Sequence, residues 1–309
     1  MVDSLTESAL RGDRRALARL ISLVEDDRPG ASEVLSELFP RTGGSYVIGL
    51  TGAPGGGKST LTSKLITHVR HDGHTVAVLA VDPSSPFTGG AILGDRIRMQ
   101  DHASDDGVYI RSMGSRGHLG GVSEATPKGL LVLDAMGFPY VIVETVGVGQ
   151  AEVEIVESAD TTVVVLNPGW GDSVQANKAG LLEIGDLFVV NKADRPGLSE
   201  TTRDLNQMLD LGGERLWRPP VLATVATTGE GADAVWDAIQ SHRAFLESDG
   251  ALEDRRATRL TGELKHALAS ELARRANAAS GDGEFARVLE EVTARRLDPW
   301  SAARQLLDH

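Results

Sequence analysis

The chain has 309 residues, with 31 Lys+Arg against 44 Asp+Glu for a net charge of −13, and 41% of its residues are hydrophobic. That apolar share supports a buried core and excludes wholesale disorder, while the acidic balance argues against a phosphate-backbone partner, so no nucleic acid is expected. With no cysteine, disulfides, thiolate metal sites and cysteine nucleophiles are excluded.

No apolar run approaches the ~20 residues of a membrane span. The start, MVDSLTESAL, is polar and acidic, unlike a signal or transit peptide. A cytoplasmic protein without a membrane partner is expected.

In residues 1–43, Leu10, Leu17, Leu20, Ile21 and Val24 recur at helical spacing and predict an N-terminal helical segment. From 44 to 248, short β-branched runs alternate with longer amphipathic stretches. Strands are predicted at 46–51, 75–81, 107–112, 139–144, 161–166, 186–190 and 220–224; helices at 58–71, 123–136, 174–184, 199–210 and 232–247. Continuous apolar runs mark strands buried on both faces. The rhythm specifies an α/β fold, a doubly wound, mostly parallel sheet with helical N- and C-terminal extensions. Residues 249–309 read as all-helical. There Leu260, Leu264, Leu268 and Leu272 form one stripe, which either packs on the core or meets a second chain.

The first strand runs into Gly52-Ala53-Pro54-Gly55-Gly56-Gly57-Lys58-Ser59, followed by Thr60 and a helix. This is G-x-x-x-x-G-K-[ST] in its strand–loop–helix setting, the phosphate loop of P-loop NTPases. Its glycines let main-chain amides wrap a phosphate, the helix N-terminus adds positive potential, Lys58 reaches the β- and γ-phosphates, and the Ser59 hydroxyl serves Mg²⁺.

Asn191-Lys192-Ala193-Asp194 follows the sixth strand. An aspartate there accepts from guanine N1–H and its 2-amino group, a donor pair that adenine lacks. Thr224-Val225-Ala226 ends the seventh strand, where the Ala226 main-chain N–H is expected to meet the guanine O6. GTP and GDP are thus the expected ligands. For Mg²⁺, Glu144 closes the fourth strand in Glu144-Thr145-Val146-Gly147, with Gly147 free to turn its N–H toward a γ-phosphate. Asp82 and Asp95 are further acids, either metal-side or caps of local turns. Val148 follows Gly147 where a water-orienting glutamine stands in Ras-like proteins, so intrinsic hydrolysis is expected to be slow and partner-stimulated.

His68, His71 and His74 suit the C-terminus of the phosphate-loop helix better than a metal site. Arg111, Arg116 and His118 read either as contacts for a partner or an anionic tail, or as a solvated loop. Pro299-Trp300 is expected to cap and anchor the last helix.

Residues 80–99, 111–121, 144–152 and 167–194 together resemble the MeaB/ArgK family, G-protein chaperones of adenosylcobalamin-dependent acyl-CoA mutases whose human member is the methylmalonic aciduria type A protein. The resemblance implies a GTPase that gates cofactor loading of methylmalonyl-CoA mutase, or of isobutyryl- or 2-hydroxyisobutyryl-CoA mutase, and protects or reactivates it. It matches Mg²⁺ positions to Ser59, Asp82, Asp95 and Glu144. It matches Asp172 and Lys178 to residues that swing toward the nucleotide, and it implies a homodimer formed through 249–309. Older labels in the same family suggest the rival, an ATP-dependent arginine/ornithine-transport-type kinase; a kinase has no need of the guanine clamp.

Overall fold

In the computed structural model, which describes residues 2–82, 99–102, 104–114, 125–145, 158–169, 183–213, 216–279 and 283–307, the seven apolar runs become one parallel sheet. Its strands are β1 (Tyr46–Gly52), β2 (Val76–Asp82), β3 (Val108–Gly114), β4 (Tyr140–Thr145), β5 (Thr161–Leu166), β6 (Leu187–Asn191) and β7 (Val221–Thr224). Each begins and ends within two residues of its expected position. The spatial order is β3-β2-β4-β1-β5-β6-β7. From β1 the chain runs out to β2 and β3, returns to insert β4 between β2 and β1, and then crosses to β5, β6 and β7 on the other side, so the C-terminal end of β1 lies at the topological switch where ligands bind in such folds.

Every residue of β1, β4, β5 and β6 is buried, because helices cover both faces. On one face α4 (Lys58–His71) and α7 (Ala232–Ser248) pack Leu61, Leu65, Ile66, Val235 and Ile239 onto Ile48, Leu50, Ile142 and Val163. On the other, α5 (Ala125–Ala135) joins the N-terminal helices, and α6 (Leu198–Leu211) covers β5 and β6 with Leu205 and Leu209.

The N-terminal segment is three helices, α1 (Val2–Leu10), α2 (Arg14–Glu25) and α3 (Ala31–Leu38). The first break is a capped restart: Asp13 accepts from the Arg15 and Ala16 amides at 2.8 and 3.2 Å. The second follows Pro29 at Gly30, whose φ is 96°. Leu17, Leu20, Ile21 and Val34 share a core with Val47, Leu79 and Val141 of the sheet. The predicted helix over 123–136 is α5; that over 174–184 falls almost wholly outside the described residues.

Helix α8 (Ala251–Ala279) follows α7 directly. Its Arg255 and Arg256 belong to the first of two compact units, Met1–Arg256 and Ala257–His309. Arg255 reaches Asp186 with both guanidinium nitrogens at 2.8 and 2.9 Å, and Arg256 donates to Asp160 at 3.0 Å. Both carboxylates immediately precede a strand, so these pairs lie at the N-terminal ends of β5 and β6, opposite the phosphate loop.

In the second unit, with α9 (Gly283–Thr293) and α10 (Pro299–Leu307), Leu260, Leu264, Leu268 and Leu272 are all exposed. The last helix is capped differently from the expectation. Asp298 accepts from the Trp300 and Ser301 amides, both at 3.0 Å, while the Trp300 side chain is 75% exposed. Among the described residues no helix is long and apolar enough to cross a membrane.

Candidate functional site

The C-terminal ends of β1, β4, β6 and β7 converge on the phosphate loop. Two glycines make its path possible. Gly52 has φ 127°, and a Cβ there would lie 2.0 Å from the Val165 carbonyl oxygen; at Gly57, φ 91°, it would lie 2.1 Å from Asn191 Nδ2. No side chain caps α4, so its first-turn amides, which lack intrahelical acceptors, face the loop. Lys58 is 5% exposed. Its ammonium lies across the loop, donating to the Gly52 and Ala53 carbonyls at 2.6 and 3.0 Å. Pro54 and Gly55 form the loop's outer turn, and Thr60 continues the first turn of α4.

Glu144 shares a register pair with Leu50 and is buried under α4. Ser59 Oγ donates to its Oε1 at 2.5 Å and Thr62 Oγ1 to its Oε2 at 2.9 Å. Thr62 is not part of the phosphate-loop motif. The only signal in sequence is its spacing of three from Ser59, which puts both hydroxyls on one helical face. A hydroxyl and a carboxylate side by side are hard oxygen donors of the kind Mg²⁺ takes, so the described donor set fits that ion. Asp82 closes β2, two residues beyond Ala80, the register partner of Glu144. Asp95, Gly147, Asp172 and Lys178, like Arg116 and His118, lie outside the described residues.

The second half of the site is organised by Asn191, which is 2% exposed. Its Nδ2 donates to the Gly56 carbonyl at 2.8 Å. Its Oδ1 accepts from Thr224 Oγ1 at 3.1 Å and from the Ala226 amide at 3.0 Å. The Ala226 N–H, expected to face a guanine O6, is therefore given to Asn191. Lys192, at φ 60°, donates to the Gly55 carbonyl at 2.6 Å, and the Ala193 amide donates to the Thr224 carbonyl at 3.0 Å. Val225 turns the chain by accepting from the Thr228 and Gly229 amides, both at 3.0 Å. Asp194 is exposed beyond this knot, where its carboxylate can meet a ligand. The phosphate loop, the Asn-Lys-Ala-Asp turn and the loop after β7 are one hydrogen-bonded unit.

Two other sequence candidates are accounted for elsewhere. Arg111 sits in β3, not in a solvated loop, and donates to Glu25 and Ser22 of α2 at 2.7 and 3.0 Å. Among the described residues no group of three His, Asp or Glu can hold a metal ion. His74 packs its ring against Tyr140, and His71 lies 3.5 Å from Asp72.

A parallel sheet with this phosphate loop on its central strand, and an Asn-Lys-x-Asp turn two strands away, defines a P-loop GTPase fold. The chain belongs to the MeaB family: residues 17–281 match the model described as methylmalonyl Co-A mutase-associated GTPase MeaB. It is 50% identical to a putative GTPase of Pyrococcus abyssi over 99% of this chain and 96% of that protein. It is 35% identical to the GTPase ArgK of Escherichia coli over 98% and 96%, and 33% identical to the mouse methylmalonic aciduria type A homolog, mitochondrial, over 83% and 66%. Among solved structures, that of an LAO/AO transport system kinase superposes with a TM-score of 0.74 at 27% identity, covering 99% of this chain and 96% of that one.

Proposed function

We propose that the chain binds GTP and GDP with Mg²⁺, hydrolyses GTP slowly on its own and faster with a partner, and serves as chaperone to an adenosylcobalamin-dependent acyl-CoA mutase. Methylmalonyl-CoA mutase is the first candidate client, and isobutyryl- and 2-hydroxyisobutyryl-CoA mutases are the alternatives. The chain would gate cofactor loading and protect or reactivate the client. The observation that carries the nucleotide reading is Asn191, which holds the phosphate loop by Gly56 and the β7 loop by Ala226, so that base and phosphate sites move as one. The client reading is supported by the family's description as mutase-associated.

Within this reading the main chain of 52–57 and the first turn of α4 bind the phosphates, and Lys58 turns its ammonium from the loop carbonyls to a phosphate oxygen. Asp194 accepts from the guanine edge, as its place beyond the Asn191 knot allows. Ser59 and Glu144 are the residues that would hold Mg²⁺, Asp82 and Asp95 being further metal positions that the family resemblance implies, and the ion would neutralise charge developing on the phosphates. Asp172 and Lys178 join Lys58 and Glu144 in the catalytic set by the family resemblance, and Gly147 is a nucleotide contact. The exposed leucine stripe of α8 supports a homodimer through the C-terminal helices.

The test of the nucleotide reading is competition for bound mant-GDP. GTP displaces it and ATP does not, and Asp194→Asn shifts preference toward XTP without loss of phosphate contacts. Equal displacement by ATP would favour an ATP-dependent kinase, the reading suggested by the name of the superposing structure. Pull-down with each purified mutase identifies the client. Leu264→Glu with Leu268→Glu converts a dimer to monomer in light scattering if the stripe is the interface.

A further inference from the structure

Glu144 is held by two hydroxyls, not one. Ser59 takes Oε1 at 2.5 Å and Thr62 takes Oε2 at 2.9 Å. Thr62 is fully buried and Glu144 only 4% exposed, so neither bond is exchanged with bulk water. A hydroxyl has one proton to donate and two lone pairs to offer. Ser59 can therefore keep its bond to Oε1 and still present oxygen to a cation, whereas Thr62, one helical turn deeper, is committed to the carboxylate.

We propose that Thr62 is a positioning residue for the metal side of the nucleotide site: its buried hydroxyl pins Oε2 of Glu144, so that Oε1 stays turned toward Ser59. The first turn of α4 and the end of β4 are thereby cross-linked by one carboxylate, with the motif residue Ser59 at the front and Thr62 behind. Partners that orient a ligand's second atom tune metal affinity about as strongly as loss of a weak ligand does, by roughly 10–100-fold.

The inference rests on the nucleotide reading above, and its experiment separates the two. Release of mant-GDP from the full-length chain is followed by stopped flow across a MgCl₂ titration, beside a thermal melt. In the wild type, Mg²⁺ slows release. In Thr62→Val, which keeps the shape and removes the hydroxyl, the Mg²⁺ concentration giving half the effect rises about tenfold or more, while mant-GDP affinity in EDTA stays near the wild-type value. Thr62→Ser restores the wild-type titration. A purely structural threonine lowers the melting temperature in Thr62→Val and leaves the titration unmoved, which overturns the proposal, as does a serine variant that behaves like valine. A wild-type chain that binds no mant-GDP, or releases it without regard to Mg²⁺, overturns the nucleotide or metal reading itself and this proposal with it.

Discussion

Asn191 Nδ2 donates to the carbonyl of Gly56 at 2.8 Å, joining residues 135 positions apart in the chain. The bond is buried, and the same side chain accepts two more. It ties the phosphate loop to the loop after β7 through one buried side chain.

Asn191→Ala removes all three bonds at once. Each buried partner left unsatisfied costs about 1–3 kcal/mol, so stability falls by on the order of 3 kcal/mol and mant-GDP release accelerates at least tenfold. Chemical denaturation and stopped-flow release measure the two. Asn191→Asp keeps the acceptor for Ala226 and Thr224 but loses the donor to Gly56, and it sits between the wild type and Asn191→Ala in release rate. Equal release from all three proteins would detach the base loop from the phosphate loop.

Lys58→Ala deletes an ammonium whose present acceptors are main-chain carbonyls of its own loop. Those bonds show that the side chain is already folded over the mouth where phosphate would lie. Loss of the ammonium's charge-assisted contact with the β-phosphate, at about 1.5–3 kcal/mol, predicts roughly a 10- to 100-fold weaker affinity for mant-GDP. Retained affinity in this variant, by fluorescence titration, would end the phosphate assignment.

The phosphate loop was legible because its path is set by main-chain geometry, which demands glycine at Gly52 and Gly57 and so leaves a mark in the residue types. The strands were legible because burial on both faces removes polar residues from the whole run. Thr62 was not, since its value depends on β4 lying alongside with Glu144 in register with Leu50, and spacing in α4 alone does not reveal that. Nor was the use of the Ala226 amide: an N–H carries no side-chain signature, and only the folded turn shows that Asn191 claims it. Arg255 and Arg256 carry no signal of their role in the sequence. Their partners are acids 69 and 96 residues away, a separation at which periodicity says nothing.

His242 gives a pH dependence whose sign follows from its burial. The imidazole is 1% exposed, and its Nδ1 lies 2.8 Å from Thr161 Oγ1. Burial pulls its pKa from 6.5 down to about 4, against the opposing pull of Asp186 and Asp160 and with help from Arg255. The unfolded chain therefore binds a proton between pH 6.5 and about 4 that the folded chain refuses. Stability from this group is complete above pH 6.5 and drains away as pH falls toward 4, by on the order of 3 kcal/mol in all. Urea denaturation at a series of pH values should show that slope in the wild type and a shallower one in His242→Gln. Identical slopes would mean that the imidazole titrates as in the unfolded chain.

Arg256 and Asp160 supply the last test, at the N-terminal end of β5, opposite the site. Asp160 is fully buried; it accepts from the Val47 amide at 2.8 Å and from Arg256 Nη2 at 3.0 Å. Arg256 also donates to the Gly43 and Ser45 carbonyls at 2.8 and 2.7 Å, so one guanidinium fastens the start of α8 to β1 and to the approach to β5. Arg256→Met keeps the stem and strands a buried carboxylate, and it should cost about 3–5 kcal/mol. Asp160→Asn with Arg256→Met removes the charge as well as the partner, so the double variant should recover much of that loss. Because the pair lies far from the phosphate loop, the mant-GDP affinity of whatever fraction remains folded should stay at the wild-type value. Calorimetric melting and nucleotide titration of the same preparations distinguish a local brace from a strut that reaches the nucleotide: an affinity that falls in step with stability would show that strain at the foot of β5 is carried through the strands to Asn191.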